Sequence, residues 1–195
     1  MDTFKARKAR KHELSIKQKE ILRRSLLGDG HLTKTTRGFA FRANHSIKQK
    51  KYVDWKYNQL TEITNSAPSD CQNRVYYFRS VAHPFFKVLH KEFYVGRRKI
   101  VPKQIKNWIS PLTVAVWIMD DGSRDGRQLR INSQSFSKLE NKKLISVLEA
   151  KLGIKATLNR DKDRYRLRIK DESMEIVREI ARKYIIPSML YKISP

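Results

Sequence analysis

The stretch Trp117-Ile118-Met119-Asp120-Asp121-Gly122 closes an apolar run that begins at Leu112. It reads as a buried helix whose last turn carries acid. Aspartate is poorly placed there, because the negative end of the helix dipole repels it. Something must offset that cost, and a bound cation is the first candidate. The same ending occurs earlier, in Leu26-Leu27-Gly28-Asp29-Gly30. One apolar helix ending in Asp-Gly is a weak signal, but one in each half of a short basic chain is a strong one.

Working outward from the later copy, Ser110-Pro111 opens its helix, with Ser as N-cap and Pro in the first turn. Residues 122–126 read as a turn. Residues 127–135 alternate Leu129 and Ile131 against Gln128, Arg130 and Asn132, which is strand periodicity. A helix over 139–152 closes at Gly153, a hairpin pairs 155–160 with 164–170, and a last helix covers 174–184. In the earlier half, Ser15 and Gln18 form a capping box. That helix is expected to run to Asp29, with Gly30 taking the left-handed conformation that ends it. A strand over 38–46, a helix over 48–63 burying Val53, Tyr57 and Leu60, a loop over 64–72, a strand over 75–80 and a helix over 84–93 follow, and 97–107 is an irregular connection. Residues 1–14 read as a basic tail, a solvated nucleic-acid-binding arm rather than part of a transit peptide.

Both halves therefore read helix, strand region, helix, strand region, helix. A Lys-Ile-x-Pro tetrad ends each: Lys99-Ile100-Val101-Pro102 and Lys192-Ile193-Ser194-Pro195. Lys99 follows Asp29 by 70 positions and Lys192 follows Asp121 by 71. The chain is read as an internal duplication of about 90 residues with pseudo-twofold symmetry. Its divisions are a tail at 1–14, a first unit at 15–102, a linker at 103–110 and a second unit at 111–195.

Composition narrows the function. The 195 residues carry 43 Lys and Arg against 19 Asp and Glu, a net charge of +24. That excess repels itself in the folded state and makes sense if the partner is a polyanion, since each phosphate neutralised releases counterions. A membrane surface is disfavoured, because the basic residues are spread along the chain and no apolar run approaches the roughly 20 residues of a spanning helix. Cys71 is the only cysteine, which excludes an intrachain disulfide and a Cys/His zinc set. A reducing compartment follows, the cytoplasm of a prokaryote or an organelle such as a mitochondrion or chloroplast.

The clearest binding surface is Arg164-Tyr165-Arg166-Leu167-Arg168-Ile169-Lys170. Alternation along a strand sends Tyr165, Leu167 and Ile169 to the core and Arg164, Arg166, Arg168 and Lys170 outward together. Four cations on one sheet face call for something anionic across it. A twisted ribbon fits the DNA major groove, where Arg reads guanine edges and other side chains hold phosphates. If the two acid-ended helices pack side by side, Asp29 and Asp121 come close together. Mg²⁺ would resolve that repulsion, since it takes carboxylate and phosphate oxygens while keeping several waters. One such site would then serve each DNA strand, with Lys99 and Lys192 neutralising charge on the phosphate.

These residues resemble the LAGLIDADG homing endonucleases in their single-chain, two-motif form. Leu22-Arg23-Arg24-Ser25-Leu26-Leu27-Gly28-Asp29-Gly30 is similar to the first motif, and Val114-Ala115-Val116-Trp117-Ile118-Met119-Asp120-Asp121-Gly122 to the second. The likeness is greatest to the I-SceI-like branch, whose Asn-x-Gln-Ser strand corresponds to Asn132-Ser133-Gln134-Ser135. That branch's Pro-x-Met-x-Tyr-Lys ending corresponds to Pro187-Ser188-Met189-Leu190-Tyr191-Lys192. The resemblance implies an α+β fold of two pseudo-symmetric αββαββα units. In it the motif helices form the central interface, and antiparallel sheets form a DNA-binding saddle. It implies a monomer that makes a Mg²⁺-dependent double-strand break in a long asymmetric DNA site, with Mn²⁺ able to substitute and no organic cofactor. The metal positions fall on Asp29 and Asp121 and on the residues before them, Gly28 and Asp120. Catalytic lysines fall on Lys99 and Lys192, and Gln134 matches a polar residue that orders water around the metals. Its first-half counterpart is Asn44 or His45. The expected DNA contacts are Arg42, Asn44, Arg79, Arg130, Asn132, Arg164, Arg166, Arg168 and Lys170.

The chain departs from the family pattern at the third motif position, which is usually small and is here Arg24 and Val116. Either the helix crossing is looser at that level or Arg24 snorkels outward. Asp120 is read as a capping residue rather than a third acid at the metals, His31 as a loop residue, and Trp55, Trp108 and Trp117 as core. Two alternatives to the nuclease use the same fold: a maturase that binds its own intron RNA, and a non-catalytic DNA-binding regulator.

Overall fold

The computed structural model describes residues 3–72 and 74–194. Met1 and Asp2 of the expected tail, and Pro195 of the second tetrad, lie outside the described residues. Contacts divide the chain into two units, Met1–Lys91 and Glu92–Pro195.

The first unit opens with α1 (Phe4–Lys11) and α2 (Ile16–Leu27), followed by β1 (His31–Thr35), β2 (Gly38–Ser46), α3 (Lys50–Asn58), β3 (Ser69–Cys71), β4 (Val75–Ala82) and α4 (Pro84–Phe93). Its antiparallel sheet has the order β1-β2-β4-β3. The second unit carries a short hairpin, β5 (Tyr94–Val95) and β6 (Arg98–Lys99), and the single turn α5 (Ile105–Trp108). Then come α6 (Pro111–Asp121), β7 (Gly122–Asp125), β8 (Gln128–Ile131), α7 (Lys138–Leu152), β9 (Ala156–Asp161), β10 (Arg164–Ile169) and α8 (Met174–Arg182). Its sheet has the order β7-β8-β10-β9. From α2 onward and from α6 onward each unit is αββαββα with the same strand order, so the duplication holds in topology as well as in motif.

Local chemistry explains the helix starts. Ser15 accepts from the Gln18 N–H while the Gln18 side chain accepts from the Ser15 N–H. Ser110 caps α6 with Pro111 in its first turn, and Ser137 and Glu140 form a second capping box on α7. Gly153 ends α7 at φ +67°, the left-handed region that glycine enters freely. Each core lies between a sheet and its helices. Phe41, Phe78, Tyr52, Val53 and Phe86 fill the first, and Trp117, Leu129, Ile131, Leu144, Leu167 and Val177 fill the second.

Four expectations change. The basic tail is not a solvated arm: Thr3 caps α1, and Ala6, Ala9 and Leu14 are buried. Five of the described strands escaped the sequence reading: β1, β5, β3 in the expected loop, β6 in the expected irregular connection, and β7, which occupies most of the stretch read as a turn. Gly30 does not take the left-handed conformation. Its requirement is space, since a Cβ there would lie 2.6 Å from the Ser25 carbonyl oxygen and 2.8 Å from the Phe41 ring. Finally, Arg24 does not snorkel outward. It is buried and paired with Glu20 at 3.0 Å.

Candidate active site

The second motif helix ends in a cluster whose parts are all local to its unit. Lys192 is 5% exposed. Its Nζ donates to the carbonyl oxygens of Ile118 at 3.2 Å, Met119 at 2.6 Å and Asp120 at 3.4 Å. All three lie in the last turn of the helix, at the negative end of its dipole, and that of Ile118 also accepts from the Gly122 N–H. An ammonium group therefore offsets the cost of acid there, a role the sequence reading gave to a bound cation alone. The Trp117 indole donates to Asp121 Oδ2 at 3.1 Å, so this core tryptophan also fixes the acid's rotamer. The Asn132 N–H donates to the Asp121 carbonyl at 3.0 Å and ties the end of β8 to the helix end. Asp120 is buried while Asp121 keeps partial access.

Gln134 donates to Asp161 Oδ2 at 2.8 Å. The expected strand over 127–135 ends at Ile131, so Gln134 lies in the turn after β8, and that turn is held by its neighbours. Buried Ser133 donates to Asn141 at 2.6 Å and accepts from the Leu167 N–H, while Asn141 donates to the carbonyls of Ser133, Phe136 and Ser137. Lys99 lies on β6, opposite Tyr94, and is half-buried. It belongs to the second contact unit, and the contact boundary falls between Lys91 and Glu92.

In the first unit, α2 ends at Leu27, and the N–H groups of Gly28 and Gly30 both donate to the Ser25 carbonyl, at 3.2 and 2.8 Å. Asp29 projects beyond that closed turn, with its side chain 44% exposed. Between the two candidates for the counterpart of Gln134, it is His45 that meets the acid. His45 is buried on β2, its Nδ1 is 3.5 Å from Asp29 Oδ2, and its ring packs edge-on against Tyr52 at 5.0 Å. Behind Tyr52 lies fully buried Lys56, whose ammonium is 4.6 Å from the ring centroid. His31 is on β1 rather than in a loop.

The sheet faces place the expected cations together. In the first sheet Arg42 is paired with Arg79 across β2 and β4, and the Arg42 guanidinium lies 4.6 Å over the Tyr77 ring. In the second, Arg130 is paired with Arg168 across β8 and β10. Tyr165, Leu167 and Ile169 turn inward as expected, although Tyr165 is only half-buried. The ladder is not a bare row of charge, however. Asp125 Oδ2 accepts from Arg130 at 2.7 Å and from Arg168, and Asp161 pairs with Arg166 at 3.5 Å. The Arg130 hydrogen bond holds the Asp125 carboxyl below the usual carboxylate range, and Gln134 does the same for Asp161. Exposed Arg164, Lys170 and Asn132 complete the face. The two carboxylates were missed because Asp125 and Asp161 sit where turns were expected. Their positions opposite arginines appear only once the register is known.

A family model described as the LAGLIDADG DNA endonuclease family matches residues 19–177, and the chain belongs to that family. Cytochrome b mRNA maturase bI2 of Debaryomyces hansenii is 34% identical over 135 residues, covering 68% of this chain and 50% of that protein. "Probable intron-encoded endonuclease 1" of Wickerhamomyces canadensis is 28% identical over 196 residues, covering 92% of this chain and 85% of the relative. Among solved structures, the homing endonuclease I-WcaI bound to its DNA recognition sequence superposes with a TM-score of 0.86 at 25% identity, over 96% of this chain and 90% of that one. The chain spans about half the length of the maturases it matches. Among the described residues no helix is long and apolar enough to cross a membrane.

Proposed function

We propose that the chain is a site-specific homing endonuclease that hydrolyses one phosphodiester in each strand of a long asymmetric duplex site. The observation that carries this reading is an acid held at the C-terminal end of each motif helix, Asp29 past a closed Gly28–Gly30 turn and Asp121 in the last position of α6, bonded to the Trp117 indole. Membership of the family supplies the reaction class.

Carboxylate oxygens with solvent access suit a hard divalent cation, and Asp29 and Asp121 would hold it, with Gly28 and Asp120 beside them. When bound, Mg²⁺, or Mn²⁺ in its place, would supply Lewis-acid activation of the scissile phosphate and of a water. The protein's own groups do the remaining work. Lys192 and Lys99 place positive charge beside the phosphate. Gln134 and His45 orient water near the acids. Paired Arg42 and Arg79, and paired Arg130 and Arg168, contact the duplex together with Asn44, Asn132, Arg164, Arg166 and Lys170. On this reading the protein works as a monomer in whose two units each acid serves one strand.

A second reading is favoured by one finding, that two of the relatives are cytochrome b mRNA maturases. Under it the basic surface binds intron RNA. The test joins the two DNA flanks of this reading frame as an uninterrupted allele and adds the protein with Mg²⁺ or with EDTA. Metal-dependent cutting near the junction is expected. Tight binding to that DNA without cutting supports a regulator. Failure both to bind and to cut, together with binding of the intron RNA, supports the maturase.

A further inference from the structure

Lys99 is not carried by a long element. It sits on a two-residue strand in a hairpin closed by Gly96, where φ is +60°. So small a hairpin has almost no core of its own, yet a group that must meet a phosphate has to be held to a fraction of an ångström. Its rigidity comes from α7. The Glu140 carboxylate accepts three bonds, from three residues. As the third residue of α7 it closes the capping box with Ser137, whose N–H donates at 2.8 Å. The same carboxylate accepts from Arg98 Nη1 at 2.8 Å and from the Val101 N–H at 3.0 Å. The two residues it grips flank Lys99 on either side. One turn further along α7, Lys143 Nζ donates to the carbonyls of Pro102 and Lys103 at 3.2 and 3.0 Å. The Ile100 N–H bonds back to Phe93 at 2.7 Å, which closes the remaining freedom. Arg98 also lines one open groove with Gln134, Ser135 and Tyr165, so the hairpin lies beside the turn that carries Gln134.

We propose that Glu140 is a positioning residue for the reaction: it fixes Lys99 through Arg98 and Val101 and so ties the lysine to the helix that follows the Gln134 turn. The inference rests on the nuclease reading, in which Lys99 serves one strand.

Strand-resolved cleavage of a supercoiled plasmid carrying the joined-flank site tests it. Glu140→Gln is the first variant, because Gln also closes a capping box and leaves α7 capped, while the charged bond to Arg98 is lost. Glu140→Ala removes both links, and Lys99→Met is the reference. The expected result is that both Glu140 variants slow the same strand that Lys99→Met slows, Glu140→Ala by about ten- to a hundredfold and Glu140→Gln by less, as for other groups that orient a reacting side chain. Nicked circles should accumulate, while the other strand's rate and the DNA affinity stay within about twofold. If Lys99→Met nicks but both Glu140 variants slow the two strands equally or not at all, Glu140 is merely structural and the proposal falls alone. If Lys99→Met itself leaves both strands at the parent rate, the assignment of Lys99 falls and the proposal with it.

Discussion

Lys192 shows how much one side chain carries. Its buried ammonium group meets three carbonyls, and removing it takes a donor from those of Met119 and Asp120, at about 1–3 kcal/mol for each buried group left unsatisfied, while the Ile118 carbonyl keeps the Gly122 N–H. Lys192→Met should therefore lower the unfolding free energy by about 2–4 kcal/mol in urea denaturation as well as slow cleavage. Glu140 gives a pH prediction. Burial pushes its carboxyl up, but the bonds from Ser137, Arg98 and the Val101 N–H outweigh burial and leave it below its ordinary value. A lowered folded value means stability that is present above the ordinary carboxylate range and lost as pH falls through the folded value. The melting-temperature gap between wild type and Glu140→Gln should be full at neutral pH and shrink as pH drops below about 4. Asp29, Asp121, Lys99 and Lys192 were legible as candidates in the repeat, and their roles are what the variants test. The choice of His45 over Asn44 was not legible, because it depends on which face of β2 turns toward Asp29.

At the scale of elements, legibility tracks the strength of the local signal. Ser15, Ser110 and Ser137 announce helices because a cap is written in a few adjacent residues. The strands β1 and β7 announce nothing. Both are edge strands, and β1 is His-Leu-Thr-Lys-Thr with no residue fully buried, so no inside-outside alternation exists to be read. Gly30 was assigned the wrong reason for the same cause, since close approach is a tertiary property. A Cβ at Gly122 would lie 2.5 Å from the Ile118 carbonyl oxygen. Gly122→Ala and Gly30→Ala should each destabilise by about 1–3 kcal/mol through forced backbone shifts. Gly153→Ala, strained only in its dihedral, should cost about 1 kcal/mol. Chemical denaturation of the three variants side by side would separate the two mechanisms.

For the whole molecule the net charge of +24 sets how it meets DNA. Binding to random duplex should weaken steeply with salt, by about 0.9 log units per decade of salt for each phosphate contacted. Against that background Asp125 acts as a brake, holding Arg130 and Arg168 to one carboxylate. Asp125→Asn should raise affinity for random duplex roughly two- to fivefold while reducing the ratio of specific to random binding, which competition binding at fixed salt would show. The internal duplication was legible from two acid-ended helices and two Lys-Ile-x-Pro tetrads, and the tandem αββαββα plan of the α+β fold was implied by the resemblance of the two motifs. The carboxylates that temper the cationic face were not, because cross-strand pairing has no local signature.

The measurement closest to the central claim compares wild type with Asp121→Asn on the joined-flank DNA in Mg²⁺, recording cleavage rate and affinity together. Asparagine can still accept from the Trp117 indole, so the fold is kept while the charge is lost. Cleavage of at least one strand should fall on the order of a thousandfold, the several kcal/mol expected when a carboxylate that holds the metal is neutralised, with affinity changed only a few-fold. A variant that cuts both strands within about tenfold of the wild-type rate would contradict the account, since Asp121 would then carry none of the chemistry.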